Sequence, residues 1–196
     1  MNIGIVSVGF GSVEAVIRAF RSIDEIATTV CNPVEIAKVD SLIIPGVGSF
    51  PHAIKCLEES GVLESLRIHM ESGKPVLGIC LGFQLLFDSS MEGSKSVNTR
   101  GLGLFSETVE PICSNFEMKT GWYQVNPQVT TVSGDFYYFN HRFGVKKMNN
   151  ENVVSVCADG VIAEVRKDNI RGVQFHPEKS QLAGLRYLRG VIEDWS

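Results

Sequence analysis

Lys74-Pro75-Val76-Leu77-Gly78-Ile79-Cys80-Leu81-Gly82-Phe83-Gln84-Leu85-Leu86-Phe87 passes from an apolar strand into a helical pattern through a Gly-x-Cys-x-Gly corner. Val76–Ile79 is short, apolar and bounded by Pro75, which predicts a buried strand. Leu81, Leu85 and Leu86 then begin the repeat of a helix packed on a sheet. Cys80 falls at the joint. Gly78 and Gly82 keep bulk away from both sides of the turn, so the chain can hold Cys80 in a strained conformation with its side chain presented. A nucleophile elbow has this shape, here with sulfur in place of a serine hydroxyl. The unpaired N–H groups at the start of the next helix favour thiolate over thiol and can steady an oxyanion. A small buried thiol is the other reading of Cys80, and the corner alone leaves both open.

A second signal lies near the C-terminus. Ile170-Arg171-Gly172-Val173-Gln174-Phe175-His176-Pro177-Glu178 predicts a strand that ends at a histidine, because Pro177 cannot continue the ladder. Two residues apart in an extended chain, His176 and Glu178 share a side, which lets the carboxylate orient the imidazole. With Cys80 they make a candidate triad: the sulfur attacks an acyl carbon, His176 shuttles the proton and Glu178 fixes the tautomer. By itself His-Pro-Glu reads as a plain strand end. A third signal is the short apolar strand at residues 42–44 with the loop Pro45-Gly46-Val47-Gly48 behind it. Its glycines let the backbone approach a ligand closely or turn an N–H toward it. Taken alone, it is an ordinary glycine-rich loop between strand and helix.

Composition sets the frame. A chain of 196 residues can bury a substantial core in one domain, and a mean hydropathy of +0.09 describes a soluble globular protein. No run is long enough for a membrane span, and the opening Met1-Asn2-Ile3-Gly4-Ile5-Val6 reads as a sheet strand, without the basic start of a signal peptide. Cys31, Cys56, Cys80, Cys113 and Cys157 are odd in number and scattered, which fits reduced thiols in a cytoplasmic protein and offers no zinc-type spacing. A net charge of −4 argues against nucleic acid as the main partner.

Up to about residue 90, strands alternate with helical faces such as Val13, Val16, Ile17 and Phe20, or Ile54, Leu57, Leu63 and Leu66. That alternation predicts an α/β fold with a helix-wound parallel sheet. Residues 101–175 are rich in strand patterns separated by Gly, Asn and Asp turns, and are expected to extend or flank the sheet as a meander. Residues 181–192 read as a closing helix, and residues 89–100, polar and carrying Gly93, as a mobile loop.

Ile44-Pro45-Gly46-Val47-Gly48-Ser49-Phe50, residues 74–87 and Gly172-Val173-Gln174-Phe175-His176-Pro177-Glu178-Lys179-Ser180-Gln181 together resemble the class I (triad) glutamine amidotransferases. Pro-Gly-Val-Gly-Ser-Phe and His-Pro-Glu-Lys-Ser-Gln are most similar to the glutaminase subunit of imidazole glycerol phosphate synthase. The resemblance implies a three-layer α/β domain over residues 1–196, with a central mostly parallel sheet and added antiparallel strands in the second half. It implies hydrolysis of L-glutamine to glutamate and ammonia through a Cys80 thioester, with no cofactor and no metal. Gly46, Val47 and Gly48, with the amide of Leu81, would form the oxyanion hole. Gln84 lies one helical turn beyond Cys80 and matches a substrate-binding residue. Asn140-His141-Arg142-Phe143 resembles the Asn-His-x-Phe loop of the small subunit of carbamoyl phosphate synthetase, whose backbone and asparagine would hold the amino-acid end of glutamine. His141 also reads as a histidine satisfied at a strand end.

Trp122 and Lys179 match positions at the interface with a synthase or cyclase subunit, a TIM barrel that uses the ammonia to make imidazole glycerol phosphate and AICAR in histidine biosynthesis. Their plainer readings are a buried aromatic and a solvated lysine. Departures from the subunit's pattern bear on that partner. Its usual Asp-Tyr-Gly-x-Gly-Asn is Ser7-Val8-Gly9-Phe10-Gly11-Ser12 here, its His-Met-Gly-Trp-Asn is Lys119-Thr120-Gly121-Trp122-Tyr123, and its Val-His-Ser/Thr-Tyr is Asn140-His141-Arg142-Phe143. The alternative is a paralogous glutaminase that feeds a sugar amidotransferase for surface polysaccharide. Thiol hydrolases and inactive regulatory binding modules are further alternatives.

Overall fold

The computed structural model describes residues 1–93, 98–113, 117–127, 134–148 and 150–195. Strands and helices alternate at first: β1 (Ile3–Val6), α1 (Val13–Arg21), β2 (Ala27–Val30), α2 (Pro33–Lys38), β3 (Ser41–Ile44), α3 (Phe50–Glu59), α4 (Val62–Glu71), β4 (Val76–Ile79) and α5 (Leu81–Leu85). Strands then dominate: β5 (Phe87–Ser90), β6 (Thr99–Arg100), β7 (Phe105–Pro111), β8 (Lys119–Pro127), β9 (Phe136–His141), β10 (Phe143–Gly144), β11 (Val153–Cys157), β12 (Ile162–Lys167) and β13 (Ile170–Val173). Helix α6 (Gln181–Trp195) closes the chain.

A nine-stranded sheet runs in the order β2-β1-β3-β4-β13-β12-β11-β8-β9. From β2 to β13 the pairings are parallel, and from β13 to β9 they are antiparallel. The expected architecture is therefore present: a helix-wound parallel half, extended by a meander from the second half of the chain. The period-two alternation of the strands sorts the core into two layers. Ile3, Ile5, Ile43, Leu77 and Ile79 pack with Val16, Phe20, Leu188 and Ile192 from α1 and α6. Val6, Leu42, Ile44 and Val76 pack on the opposite side with Leu57, Leu66, Phe83 and Leu85. No helix among the described residues is long and apolar enough to cross a membrane.

Two local expectations are corrected. The helix after Cys80 ends at Leu85, because the backbone of residues 102–104 takes its carbonyls: Leu102 N–H donates to Leu85 O and Leu104 N–H to Leu86 O, at 2.8 and 2.9 Å. Phe87 then starts a strand of a second, four-stranded sheet, β10-β7-β5-β6, where it packs on Phe83 and Phe105. The loop expected over residues 89–100 is in part paired strand, since Ser89 faces Arg100 and Ser90 faces Thr99 in the β5/β6 ladder. Residues 94–97 lie outside the described residues.

The glycines of the elbow have a sharper function than turn freedom. A Cβ at Gly82 would stand 2.0 Å from the carbonyl oxygen of Ile44, whereas one at Gly190, inside α6, would meet nothing within 4 Å. Gly82→Ala is thus expected to lower stability by about 3 kcal/mol or more, since backbone has to move. Gly190→Ala should raise it by roughly 0.5–1 kcal/mol, because alanine costs less entropy in a helix. Urea unfolding of the two variants measures both.

Candidate active site

The parallel strands β3, β4 and β13 are neighbours, and the segments leaving their C-terminal ends meet at one place. At the end of β4, Cys80 has φ +49° and ψ −97°, a sparsely populated region that costs a non-glycine residue on the order of 1–3 kcal/mol. Close packing imposes it. The Cys80 N–H donates to Val173 O at 2.7 Å, and a Cβ at Gly46 would fall 1.8 Å from the Ile79 oxygen. A Cβ at Gly78 would fall 2.6 Å from the Gly82 oxygen. The macrodipole expected to act on the sulfur has little to draw on, because α5 is one short turn of five residues.

After β13 the chain places His176 beside the elbow. Its Nδ1 lies 2.7 Å from Glu178 Oε1, with both side chains 2% exposed. A 3-10 turn at Pro177–Lys179, rather than the expected extended chain, folds Glu178 back onto the imidazole. Tyr138 O accepts the His176 N–H at 2.8 Å, and Ser180 Oγ donates to His176 O at 2.6 Å. Burial pulls the imidazole pKa down. The charge and hydrogen bond of Cys80, then the Glu178 carboxylate, outweigh it and push the pKa up to about 10. With Nδ1 on the carboxylate, Nε2 is the nitrogen that serves the sulfur.

Cys80 and His176 open onto a cavity of about 390 Å³ whose wall also includes Gly46, Val47, Gly48, Leu81, Gln84, Asn140, His141 and Arg142. All the residues expected to bind substrate are thus gathered there, with Glu178 behind His176 rather than on the wall. Trp122 and Lys179 are not on it; both are exposed, and Trp122 packs edge-on against Tyr138. The wall also includes Glu92, Met118 and Phe143, which the sequence reading did not assign. Glu92 Oε2 accepts the Phe50 N–H at 2.7 Å, and burial raises its pKa against the opposing pull of Arg142. An isolated acid in a polar stretch carries no spacing signal, so only the fold could find it.

Gln84 is wired into the wall. Its Nε2 donates to Phe143 O at 2.7 Å and to Gln174 Oε1 at 3.1 Å, while Gln174 Nε2 donates to Cys80 Sγ at 3.6 Å. His141 Nδ1 donates to the same Phe143 carbonyl at 2.8 Å, and its buried Nε2 has no hydrogen-bond partner. Burial, with Lys119 and His176 adding positive charge nearby, lowers the His141 pKa to about 4 and keeps the ring neutral. Asn140 Oδ1 accepts from Thr120 Oγ1 at 3.0 Å. Lys119, one of the departures, is buried with its Nζ 2.7 Å from Asp159 Oδ2 and 4.5 Å from the Tyr123 ring centre. At another departure, Ser7 N–H donates to Val30 O at 2.9 Å, and the retained Gly11 donates its N–H to Val47 O at 2.8 Å. A strained thiol beside a charged imidazole, in a cavity with an acid and an arginine, is equipped for acyl transfer from a small zwitterion.

Comparison with known proteins shows the family of the chain. The family model of the class-I glutamine amidotransferases matches residues 5–192. An imidazole glycerol phosphate synthase subunit HisH from Caldanaerobacter subterraneus subsp. tengcongensis is 37% identical over 200 residues, covering 97% of each chain. The subunit of the same name from Aquifex aeolicus is 34% identical over 198 residues, covering 96% of this chain and 94% of that one. Among solved structures, a glutamine amidotransferase crystal structure aligns with a TM-score of 0.81 at 18% identity, over 98% of both chains. PurLQS from Thermotoga maritima aligns at 0.79 and 18% identity, over 100% of this chain and 99% of that one.

The buried neutral state of His141 has a consequence for acid stability. Its folded pKa of about 4 lies below the unfolded value near 6.5, so its contribution is present above pH 6.5 and is lost as pH falls from there toward 4. The slope from this group approaches about 1.4 kcal/mol per pH unit in that window. His141→Asn keeps a donor near the Nδ1 position and does not titrate. Its unfolding free energy, measured between pH 7 and 4, should decline less steeply than the parent's.

Proposed function

The chain belongs to the class-I glutamine amidotransferase family, and from that premise we propose that it is a glutaminase acting through Cys80, His176 and Glu178. In the proposed reaction Cys80 Sγ attacks the side-chain amide carbonyl carbon of L-glutamine. The imidazolium of His176, steadied by Glu178, gives its Nε2 proton to the departing nitrogen, which leaves as ammonia. Neutral His176 then takes a proton from water as the water oxygen bonds to the thioester carbon. The C–S bond breaks with its electron pair on sulfur, and glutamate is released. The backbone N–H of Leu81 and the Gly46-Val47-Gly48 loop hold the oxyanion, where one donor typically contributes about 2.7–4 kcal/mol. The bond from Gly11 N–H to Val47 O sets the orientation of that loop. At the amino-acid end, Glu92 and the free Oε1 of Gln84 receive the α-ammonium, and Arg142 and Asn140 the α-carboxylate. What carries the reading is that a strained cysteine, a charged histidine and an acid–arginine pair share one cavity.

The relatives that match nearly the whole chain bear the name of an imidazole glycerol phosphate synthase subunit, which favours histidine biosynthesis over the polysaccharide alternative. Residues 1–196 then act as one glutaminase domain in a heterodimer with a TIM-barrel synthase subunit, in the reducing cytoplasm that five free thiols suit. In neutral water ammonia is mostly ammonium, so a sealed path into the partner preserves the reactive form. Exposed Val47 and Met118 at the cavity, with Trp122 and Lys179 beyond it, make the docking surface.

Cys80→Ala should abolish glutamate formation while leaving the urea midpoint near the parent's. Glu92→Gln should raise KM for glutamine about tenfold, as expected for a lost charged hydrogen bond, with kcat little changed. Steady-state assays with and without the synthase subunit measure these, and the subunit should stimulate the parent. Unimpaired turnover by Cys80→Ala would overturn the reading.

A further inference from the structure

One polar chain in the core runs to the sulfur without passing through the triad. A backbone carbonyl can only accept, so Gln84 must present its NH2 group to Phe143 O, 2.7 Å away. That same NH2 reaches Gln174 Oε1 at 3.1 Å, which requires Gln174 to offer its oxygen there. The other end of the Gln174 carboxamide is therefore its NH2, and it stands 3.6 Å from Cys80 Sγ. His141 Nδ1 donates to Phe143 O as well, so donors occupy that carbonyl from two sides. Gln174 is fully buried, and its backbone N–H is taken by Ala163 O at 2.9 Å. Its orientation is set by wiring inside the protein, beyond the reach of solvent.

We infer that Gln174 is a further catalytic residue of the glutaminase reaction, donating a side-chain N–H to the Cys80 sulfur whenever that sulfur carries negative charge. The inference rests on the reading of Cys80 as the nucleophile. Charge sits on sulfur twice in the cycle: before attack on the amide carbonyl carbon, and when the C–S bond of the thioester breaks and leaves its electron pair behind. His176 gives up its proton during the first half of the cycle, whereas the Gln174 N–H stays in place throughout. A preorganised neutral donor serves the sulfur at both points and costs no proton transfer. Around Cys80 the titratable and charged groups are His176, with Glu178 behind it, and across the cavity Glu92, His141 and Arg142. A change at Gln174 leaves all of them chemically intact.

Gln174→Met keeps length and volume and removes the donor. In the full-length protein, the pH profile of Cys80 alkylation by iodoacetamide should move upward by about one unit, and kcat should fall about tenfold while KM for glutamine changes little. A merely structural role would not move the alkylation profile of a folded variant. If Gln174→Met does not fold by circular dichroism, Gln174→Glu reads the same property: it keeps the acceptor for Gln84 and sets an oxygen opposite the sulfur. Profiles and kcat that superimpose on the parent's, with Cys80 still the labelled residue, overturn the inference alone. A parent that hydrolyses glutamine without needing Cys80 overturns the reading of the site, and the inference falls with it.

Discussion

Gly46 and Gly82 lie so close to the carbonyl oxygens of Ile79 and Ile44 that neither position has room for a single carbon more. The rest of the site depends on that closeness. It locks the ends of β3 and β4 together, and the bond from Cys80 N–H to Val173 O ties in β13. Cys80 is thereby held at a positive φ that an isolated chain would leave. The cost of that conformation, on the order of 1–3 kcal/mol, is spread over a buried parallel sheet with a core on both faces. Open α/β sheets place their ligands at the carboxyl ends of the parallel strands, and this one gathers Cys80, His176 and the Gly46-Val47-Gly48 loop there.

Electrostatics separates the two histidines on the cavity wall. His176 and His141 are both buried, and burial disfavours charge on each. Different partners decide the outcome. A sulfur and a carboxylate meet His176 and hold its proton, whereas at His141 burial and the Lys119 cation outweigh the Phe143 carbonyl and leave the ring neutral. One cavity wall thus carries a ring that holds its proton and a ring whose bare Nε2 can only accept. Lys119, which departs from the subunit's usual pattern, bears on that difference from the strand next door, with its ion-pair partner Asp159 opposing it.

Much of this was legible in residue patterns. Val76–Ile79 and residues 42–44 are continuous apolar runs, and such runs form strands buried on both faces of a sheet. The Gly-x-Cys-x-Gly corner and His-Pro-Glu singled out Cys80 and His176, which the fold brings to one cavity wall, since turn chemistry and strand ends leave local marks. Long-range competition for backbone hydrogen bonds leaves none. Residues 102–104 shorten α5 by capturing its last carbonyls, and no pattern within residues 81–90 announces it. Glu92 and Gln174 escaped for a similar reason: their roles come from neighbours tens of residues away. The 3-10 turn that brings Glu178 to His176 replaced an extended geometry that predicted the same pairing by a different path.

The central claim is that the strained corner at Cys80 forms a covalent acyl-enzyme with glutamine. The most direct measurement is acid quenching of the protein during turnover, followed by mass spectrometry of the peptide that carries Cys80. The account predicts a mass increase equal to one γ-glutamyl group on Cys80, removed by hydroxylamine and missing from Cys80→Ala. Steady glutamate production with no adduct on Cys80 under any quench, or with the adduct on another residue, would contradict it.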